Sequence, residues 1–235
     1  MHSIGAAPAR PDGESWGVRS YARRGSRLSA RQRSAWTEHA RDWVIAPEVQ
    51  YAGDFRFPHA FARPGPLVVE IGIGDGQALA AAAIERGECN LIGLEVWQPG
   101  VADCLAALAA LGATNVRLST LDAAWAFEHT LDPGSLAELW TFFPDPWPKA
   151  RHRKRRLVDP RFAGLAASRL ASGGVWRLAT DWADYAEQMR QALDGVPMLS
   201  GGVSDRYAGR PITRFERRAL AEGRRVTDLT YTRVI

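Results

Sequence analysis

Cysteine is scarce in this sequence: only Cys89 and Cys104 occur among 235 residues. Neither belongs to a CxxC pair, and each has apolar neighbours, so we expect two free thiols in a reducing compartment. The five histidines are scattered and form no HxxxH or HxH pattern. Because zinc and similar metals are held by closely spaced Cys and His side chains, we expect no structural or catalytic metal.

Long hydrophobic runs are also missing. No stretch approaches the roughly 20 apolar residues that a membrane-spanning helix needs. The first residues lack the hydrophobic core of a secretory signal. We therefore expect a cytoplasmic protein that does not enter a membrane.

A large excess of charge of one sign is absent as well, since 30 Lys and Arg against 26 Asp and Glu give a formal net charge of +4. The basic residues are nevertheless clustered. One cluster lies between Lys149 and Arg156, and a second contains Arg19, Arg23, Arg24, Arg27, Arg31 and Arg33. Basic patches on a nearly balanced body favour a polyanionic partner, although a solvated charged surface is the simpler alternative.

The first part of the chain differs from the rest in composition. Residues 1–28 are rich in Gly, Ser, Pro, Ala and Arg without periodicity, which predicts a flexible basic arm. Ser29 is placed to cap a helix through "ARQRSAWTEHARDW". No later boundary is evident, so residues 29–235 are predicted to form a single domain. Residues 200–212 are rich in Gly and Ser, which predicts a mobile loop.

From Leu67 onward, apolar strand patterns alternate with helical patterns. The buried strands are predicted at "LVVEIG", "NLIGLEV", "NVRLST", "LAELWTFFP" and "GVWRLAT". A helix is predicted over "DPRFAGLAASRLASGG", and the tail "RVTDLTYTRVI" alternates like an antiparallel strand. This order predicts an α/β fold with a Rossmann-like, mainly parallel, doubly wound sheet and an antiparallel C-terminal strand.

Three glycines follow the first predicted strand directly, as Gly72, Gly74 and Gly76 in "VVEIGIGDG". Glycine permits tight turns and the close approach of a ligand at the carboxyl end of a strand. The spacing is G-x-G-x-G, whereas dinucleotide-binding folds use G-x-G-x-x-G. Glu70 precedes this loop inside an apolar strand. Because a buried unpaired carboxylate is costly, we expect Glu70 to face a cationic or hydrogen-donating group.

Acids also follow the next two strands. Glu95 comes about twenty residues after the glycines, where an acid binds the ribose hydroxyls of a nucleoside. Asp122 follows the third strand and is placed to accept from an adenine amino group. Each acid alone could be an ordinary helix N-cap or a surface residue. Together with Glu70 they favour an S-adenosylmethionine site over an NAD site.

The segment "FFPDPWPKARHRKRR" places Asp145 between two prolines and ahead of the basic run. The prolines restrict the backbone on both sides of the acid. Phe142, Phe143 and Trp147 can stack on a base or pack in the core. A basic run of this kind is expected to contact phosphates.

The sequence resembles the bacterial tRNA (guanine-N7)-methyltransferases, which are class I S-adenosylmethionine enzymes. The matching segments are "VVEIGIGDG", "LIGLEVWQPGV", "FFPDPWPKARHRKRR", "ATDWADYAE" and "RPITRFERRALAEG". The proline-flanked acid and the T-x-F-E segment are more specific than the glycine loop. Pro148 stands where many members of the family have His.

The resemblance implies an activity and a set of site residues. It implies methyl transfer from S-adenosylmethionine to N7 of the variable-loop guanine of tRNA. A monomer and a homodimer both remain open. Asp145 is implied to be the catalytic acid and to bind the cofactor together with Glu70, Glu95 and Asp122. The implied substrate contacts are Lys149, Asp181, Thr213, Arg214, Phe215 and Glu216. The implied RNA contacts are Arg151, His152, Arg153, Lys154, Arg155 and Arg156.

Other activities remain open at this point. A small-molecule methyltransferase would explain the acids and glycines but not the basic runs. An exocyclic-amine methyltransferase would use a D/N-P-P-aromatic loop, which "PDPW" does not match. A non-catalytic RNA-binding protein on a methyltransferase fold would have no need of all three cofactor acids. A dehydrogenase is disfavoured by the glycine spacing and by Glu70.

Overall fold

A computed structural model describes Gly25 and residues 27–235. In this part of the chain, seven strands form one sheet in the order β3-β2-β1-β4-β5-β7-β6. The strands are β1 Leu67–Ile71, β2 Asn90–Leu94, β3 Val116–Ser119, β4 Leu136–Phe142, β5 Leu170–Thr180, β6 Leu199–Ser204 and β7 Thr227–Arg233. β1 to β5 pair in parallel, and β7 is antiparallel to both β5 and β6. The predicted mainly parallel sheet with an antiparallel C-terminal strand is confirmed.

Eight α-helices accompany these strands in the described residues. They are α1 Ala30–Trp43, α2 Pro47–Gln50, α3 Gln77–Glu85, α4 Gln98–Leu111, α5 Ala123–His129, α6 Pro160–Arg169, α7 Ala183–Asp194 and α8 Arg214–Ala221. Short 3-10 helices cover Phe57–Ala60 and Ala150–Arg155. No helix of the described residues is long and apolar enough to cross a membrane.

The sheet has a hydrophobic core on each face, as its continuous apolar strands require. β1 and β2 are buried at every position. One core contains Trp36 of α1 with the alanine-rich faces of α3 and α4. The other contains Phe127, Phe162 and Met189 from α5, α6 and α7. Small side chains let the helices approach the sheet closely, and both faces of the parallel strands are thereby removed from water.

The start of α1 agrees with its sequence signal. The Ser29 hydroxyl accepts from the Gln32 amide, and the Ser29 amide donates to the Gln32 side chain. This reciprocal pair satisfies two backbone donors at the helix start. Gln32 also donates to Asp103, which joins α1 to α4. Residues 1–24 and 26 of the predicted arm, with Arg19, Arg23 and Arg24, lie outside the described residues.

Two local predictions are wrong. The helix predicted through residue 174 ends at Arg169, and β5 begins at Leu170. The extra strand residues pair with β4 across a register shift between Leu136 and Glu138, a bulge that alternation does not reveal. The loop predicted at residues 200–212 begins as strand β6, which pairs with β7. β6 is an edge strand with little buried surface, so its sequence has no strand-like alternation.

The two cysteines behave as predicted. Cys89 and Cys104 are free and buried. Cys104 lies in α4 directly against the loop that follows β1, because a Cβ built on Gly76 would stand 2.3 Å from its sulfur. Burial, with Glu70 and Asp75 nearby, raises the pKa of the Cys104 thiol, which is therefore held neutral.

Candidate functional site

A pocket opens where the sheet reverses its strand order, between the carboxyl ends of β1 and β4. β2 and β3 extend to one side of β1, while β5 extends to the far side of β4. Ligands of open α/β sheets bind in this crevice. The pocket is lined by Gly72 and Gly74 after β1, Glu95 after β2, Asp145 after β4 and Phe215 of α8. The structure thus brings five predicted site residues together.

The glycine loop needs glycine for two separate reasons. Gly74 has φ 58° and lies against the ring of Phe215, with its virtual Cβ 3.5 Å from that ring. Gly76 has φ 76° and is the N-cap residue of α3, packed against Cys104. Helix α4 also presses on the loop, since a Cβ on Gly100 would stand 2.3 Å from the Gly74 carbonyl oxygen. The loop is therefore close-packed from behind and open towards the pocket.

Glu95 is fixed in direction by two backbone amides. Its Oε2 accepts from the Gly74 amide at 2.9 Å, and its Oε1 accepts from the Trp97 amide at 2.8 Å. One amide belongs to the glycine loop and the other to the start of α4. A carboxylate held by two amides keeps one orientation, which is what a hydroxyl-binding acid requires.

Glu70 does not itself line the pocket, but Ile71 and Gly72 directly after it do. Its side chain is in β1 with a relative exposure of 3%, and Oε2 has no hydrogen-bond partner among the described residues. Burial, together with the negative charges of Glu95 and Asp75, raises the pKa of Glu70 to about 8. The cationic or donating group expected to face Glu70 is not supplied to Oε2 by the described part of the chain.

Asp122 caps helix α5. Its carboxylate accepts from the Trp125 amide at 3.3 Å, which is the ordinary helix-cap role named as an alternative. Its neighbours Leu121 and Ala123 both line the pocket. The residue therefore lies beside the pocket, while its carboxylate serves the helix.

Asp145 lies in a loop of unusual backbone geometry. Phe143 and Trp147, two residues before and two residues after it, have φ of 51° and 45°. Bulky residues rarely adopt this left-handed conformation. Phe142 is buried in the core, whereas Phe143 lines the pocket and stacks on Phe215 with ring centroids 6.4 Å apart. The loop therefore turns sharply and presents a half-buried Asp145 to the pocket.

The basic run forms the 3-10 helix that follows this loop. Lys149, Arg151, Arg153 and Lys154 are exposed. Arg155 lies 4.8 Å over the Trp147 ring, and His152 meets the same ring edge-on at 5.7 Å. Desolvation, followed by the positive charges of Arg155, Arg151 and Lys149, lowers the pKa of His152. The run is thus an exposed, mainly cationic surface next to the pocket.

Arg156 departs from the predicted RNA-contact set. Its side chain is 1% exposed and is paired with Asp184. A guanidinium turned into the protein in this way is not available to a phosphate, so the expected RNA contact at Arg156 is not supported by its position.

The T-x-F-E segment forms the first turn of α8. Thr213 caps the helix by accepting from the Glu216 amide at 3.3 Å. Phe215 reaches the pocket. Arg214 packs over the rings of Trp97 and Phe215 and lies 3.7 Å from the carboxylate of Asp75 in the glycine loop. Phe215 therefore lines the pocket and Arg214 lies beside it, whereas Thr213 serves as the helix cap.

Glu216 is turned away from the pocket into an ion-pair network. It accepts from Arg206 at 2.6 Å and from Arg210 at 3.3 Å, and Arg210 also donates to Asp228 at 2.6 Å. Burial alone would raise the pKa of Glu216, but the hydrogen bonds from the two arginines outweigh it and lower that pKa. The carboxylate is buried and already paired with two arginines, which disfavours the implied substrate contact of Glu216.

Arg210 and Asp181 complete the surroundings of the site. Sequence reasoning missed Arg210, whose guanidinium lies 5.1 Å over Phe142 and 5.4 Å over Phe143. It therefore ties α8 to the loop after β4. Asp181 follows β5 at the same edge of the sheet and pairs with Arg224 at 2.8 Å.

Comparisons with known proteins agree with this architecture. A family model described as "Putative methyltransferase" matches residues 64–229. A tRNA (guanine-N(7)-)-methyltransferase of Nocardioides sp. is 51% identical over 97% of this chain and 95% of its own length. The enzyme of the same name from Cutibacterium acnes is 42% identical over 93% of this chain and 84% of its own length.

The fold has counterparts among solved structures. The 16S rRNA methyltransferase KamB superposes with a TM-score of 0.52 at 18% identity, over 75% of this chain and 90% of its own. This likeness concerns the fold, which is that of the Rossmann-like methyltransferases. With the sequence relatives, it establishes that the chain belongs to the tRNA (guanine-N7)-methyltransferase family.

Proposed function

We propose that this protein transfers a methyl group from S-adenosylmethionine to N7 of a guanine in tRNA, and that the target is the variable-loop guanine. One observation carries the proposal. A single segment joins the acid that lines the pocket, Asp145, to the exposed cationic surface formed by Lys149, Arg151, Arg153 and Lys154. The proposed catalytic acid and the surface that would bind a polyanion are therefore only a few residues apart.

The pocket fits a nucleoside cofactor with a cationic tail. The left-handed glycine loop exposes backbone to a ligand, and Glu95 offers an oriented carboxylate for ribose hydroxyls. The unmatched, buried Oε2 of Glu70 favours a cationic or donating group at this loop. When bound, S-adenosylmethionine supplies an electrophilic methyl group on a sulfonium. Asp122, between the pocket-lining Leu121 and Ala123, is proposed to accept from the adenine amino group.

Asp145 is proposed to orient the guanine and to stabilise positive charge on it. N7 is an in-plane lone pair without a proton, so no strong general base is needed to expose it. A carboxylate can accept from the N1–H and the exocyclic amine of guanine, which directs N7 towards the methyl group. As the purine gains positive charge, the same carboxylate favours that state in a pocket poor in water. Asp181 is an alternative acceptor for the base edge.

The substrate surface is proposed to extend from the pocket in two directions. The exposed cations from Lys149 to Lys154 contact phosphates, while Arg214 and Phe215 reach the base or its ribose from α8. His152 and Arg155 lie against Trp147 and support this surface. The proposed activity places the protein where tRNA matures, in the cytoplasm.

The deciding experiment is transfer of labelled methyl from S-adenosylmethionine to unmodified tRNA, with nucleoside mapping of the product. We expect 7-methylguanosine at the variable loop and none in a tRNA that carries 7-deazaguanine there, because that base has no N7. Label on an exocyclic amine, on another position or only on small molecules would contradict the proposal.

The role of Asp145 is tested in the same assay. Asp145→Asn should lower the single-turnover rate at saturating tRNA by about a hundredfold, as expected for the loss of a preorganised charge. Asp54→Asn, at an exposed aspartate outside the pocket, should leave the rate unchanged. A near wild-type rate for Asp145→Asn would rule out a catalytic role.

A further inference from the structure

Arg156 ends the basic run but differs from its other members in environment. Its side chain is 1% exposed, whereas that of Arg153, three residues earlier, is 52% exposed. Both arginines pair with Asp184. Burying a guanidinium is costly unless its donors are met by acceptors, so the contacts of Arg156 indicate what it is for.

Two residues of α7 hold the far end of the guanidinium. Nη2 donates to both carboxylate oxygens of Asp184 at 2.9 Å, and Nη1 donates to the Gln188 side-chain oxygen at 2.9 Å. The guanidinium carbon lies 4.7 Å over the ring of Tyr185. Tyr185 is fully buried, and its hydroxyl accepts from the Val158 amide at 3.1 Å. The guanidinium is therefore fixed to a helix that is itself packed in the core.

The near end of the guanidinium holds the loop that contains Asp145. Its Nε donates to the carbonyl oxygen of Pro146 at 2.8 Å. Pro146 stands between Asp145 and the left-handed Trp147, so this hydrogen bond acts on the Pro146–Trp147 peptide, one residue beyond the acid.

We propose that Arg156 is a positioning residue, which holds Asp145 over the pocket by joining the Pro146 carbonyl to α7. The inference rests on the proposed methyl transfer, because alignment of the base with the methyl group is what the loop must supply. Arginine suits this role because its planar fork reaches three acceptors in fixed directions. The basic run is thus divided, with exposed cations for phosphate and one buried arginine for the loop.

The Arg156→Lys variant separates this role from phosphate contact. Lysine keeps the positive charge, which is sufficient for a phosphate, but one ammonium does not reproduce the fork between Asp184, Gln188 and Pro146. We expect unchanged tRNA affinity and salt dependence. The single-turnover rate at saturating tRNA and cofactor should fall about ten- to a hundredfold, because a misplacement near 1 Å costs about that much.

Two further measurements complete the test. Arg156→Met should lower the rate at least as much while leaving the salt dependence of tRNA binding unchanged. Tryptic cleavage within residues 149–155 should be faster in both variants than in the wild type, a readout that does not involve methyl transfer. The matched control is Arg190→Lys, an arginine of α7 that pairs with Glu187 and Asp194 at the surface, and it should match the wild type in every measurement.

Several results would overturn the inference. One is a wild-type rate of methyl transfer in Arg156→Lys. Another is a wild-type rate of tryptic cleavage within residues 149–155 in both variants. If Arg156→Met lowered the salt slope of tRNA binding by about one and kept a normal rate of methyl transfer, Arg156 would be assigned to a phosphate contact instead. Loss of the folded state in both variants would assign Arg156 to the stability of the whole domain. Failure of the proposed function is distinct, because the wild type itself would then transfer no methyl group to tRNA.

Discussion

Phe143 and Trp147 both adopt left-handed backbone conformations, and they are the two non-glycine residues of the described chain with positive φ. Each lies two residues from Asp145, one on either side. Such conformations cost about 1–3 kcal/mol each and persist where surrounding contacts enforce them. Here the enforcing contacts are the Phe143–Phe215 stack and the packing of Arg155 on Trp147. Strain on both sides of one acid indicates that its direction is maintained at the expense of stability.

Backbone strain at residue 143 can be measured by comparing two truncations. Phe143→Ala and Phe143→Gly lose the same ring, but only alanine retains the cost of the left-handed conformation. We expect the glycine variant to be more stable by about 1 kcal/mol in urea unfolding. The same pair at Phe142, in strand β4, should show the opposite order, since glycine weakens a strand. If the alanine variant were the more stable one at both positions, backbone strain at Phe143 would be contradicted.

Glu70 should make stability depend on pH. Its pKa is raised to about 8 in the folded protein, so the folded state holds a proton that the unfolded state releases near pH 4.5. The stabilisation from this proton is complete below about pH 4.5 and is lost as pH rises through 8. Between these pH values, the unfolding free energy of Glu70→Gln should therefore fall less steeply with pH than that of the wild type. The two slopes, measured by urea titration, should differ by at most about 1.4 kcal/mol per pH unit. Glu48→Gln, which changes an exposed acid, is the control and should keep the wild-type slope. A wild-type slope in Glu70→Gln would show that Glu70 is not the source of the pH dependence.

Gly100 of α4 should be needed for the position of the glycine loop. An alanine Cβ there would stand 2.3 Å from the Gly74 carbonyl oxygen, so the loop or α4 must move. We expect Gly100→Ala to weaken S-adenosylmethionine binding at least about tenfold, or about 1.4 kcal/mol, in calorimetry. Gly164→Ala in α6 is the matched control, because nothing lies within 4 Å of its added Cβ. That variant should bind normally and gain about 0.5–1 kcal/mol of stability.

The exposed cations should govern tRNA affinity and its salt dependence. Replacing Arg151 and Lys154 by glutamine removes two charges from the surface next to the pocket. We expect weaker tRNA binding and a log–log salt slope reduced by about one to two, with little change in the rate at saturating tRNA. The control variant combines Arg56→Gln and Arg190→Gln, at arginines that are paired with acids away from this surface. It should leave the salt slope unchanged. An unaltered slope in the first variant would place the RNA on another surface.

The position of the pocket followed from the sequence because parallel strands end at one edge. Apolar runs predicted β1, β2 and β4, and their topology brings the residues that follow them together. Glu95 and Asp145 could therefore be placed without knowing any contact. Helix α8 was missed although Thr213 and Glu216 form the T-x-x-E pattern of a helix start, which is a signal that could have found it.

The environments of Arg156 and Glu216 could not be predicted in the same way. The acceptors of Arg156 on α7 are 28 and 32 residues away in sequence. Glu216 is paired with Arg206 and Arg210, which belong to the predicted loop at residues 200–212. A charged residue in a charged run gives no local sign of burial. Only tertiary packing decides which members of such a run face water.

The position of β7 has a consequence for synthesis on the ribosome. β6 precedes β7 in sequence, but β7 lies between β5 and β6 in the sheet. The parallel strands β1 to β5 can assemble on the nascent chain, while β6 has no strand to join until Thr227–Arg233 has emerged. Asp228 of this late strand is also the partner of Arg210 behind the pocket. The Arg210–Asp228 pair behind the pocket therefore forms only after β7 has been synthesised, so the site is completed later than the parallel strands that carry it.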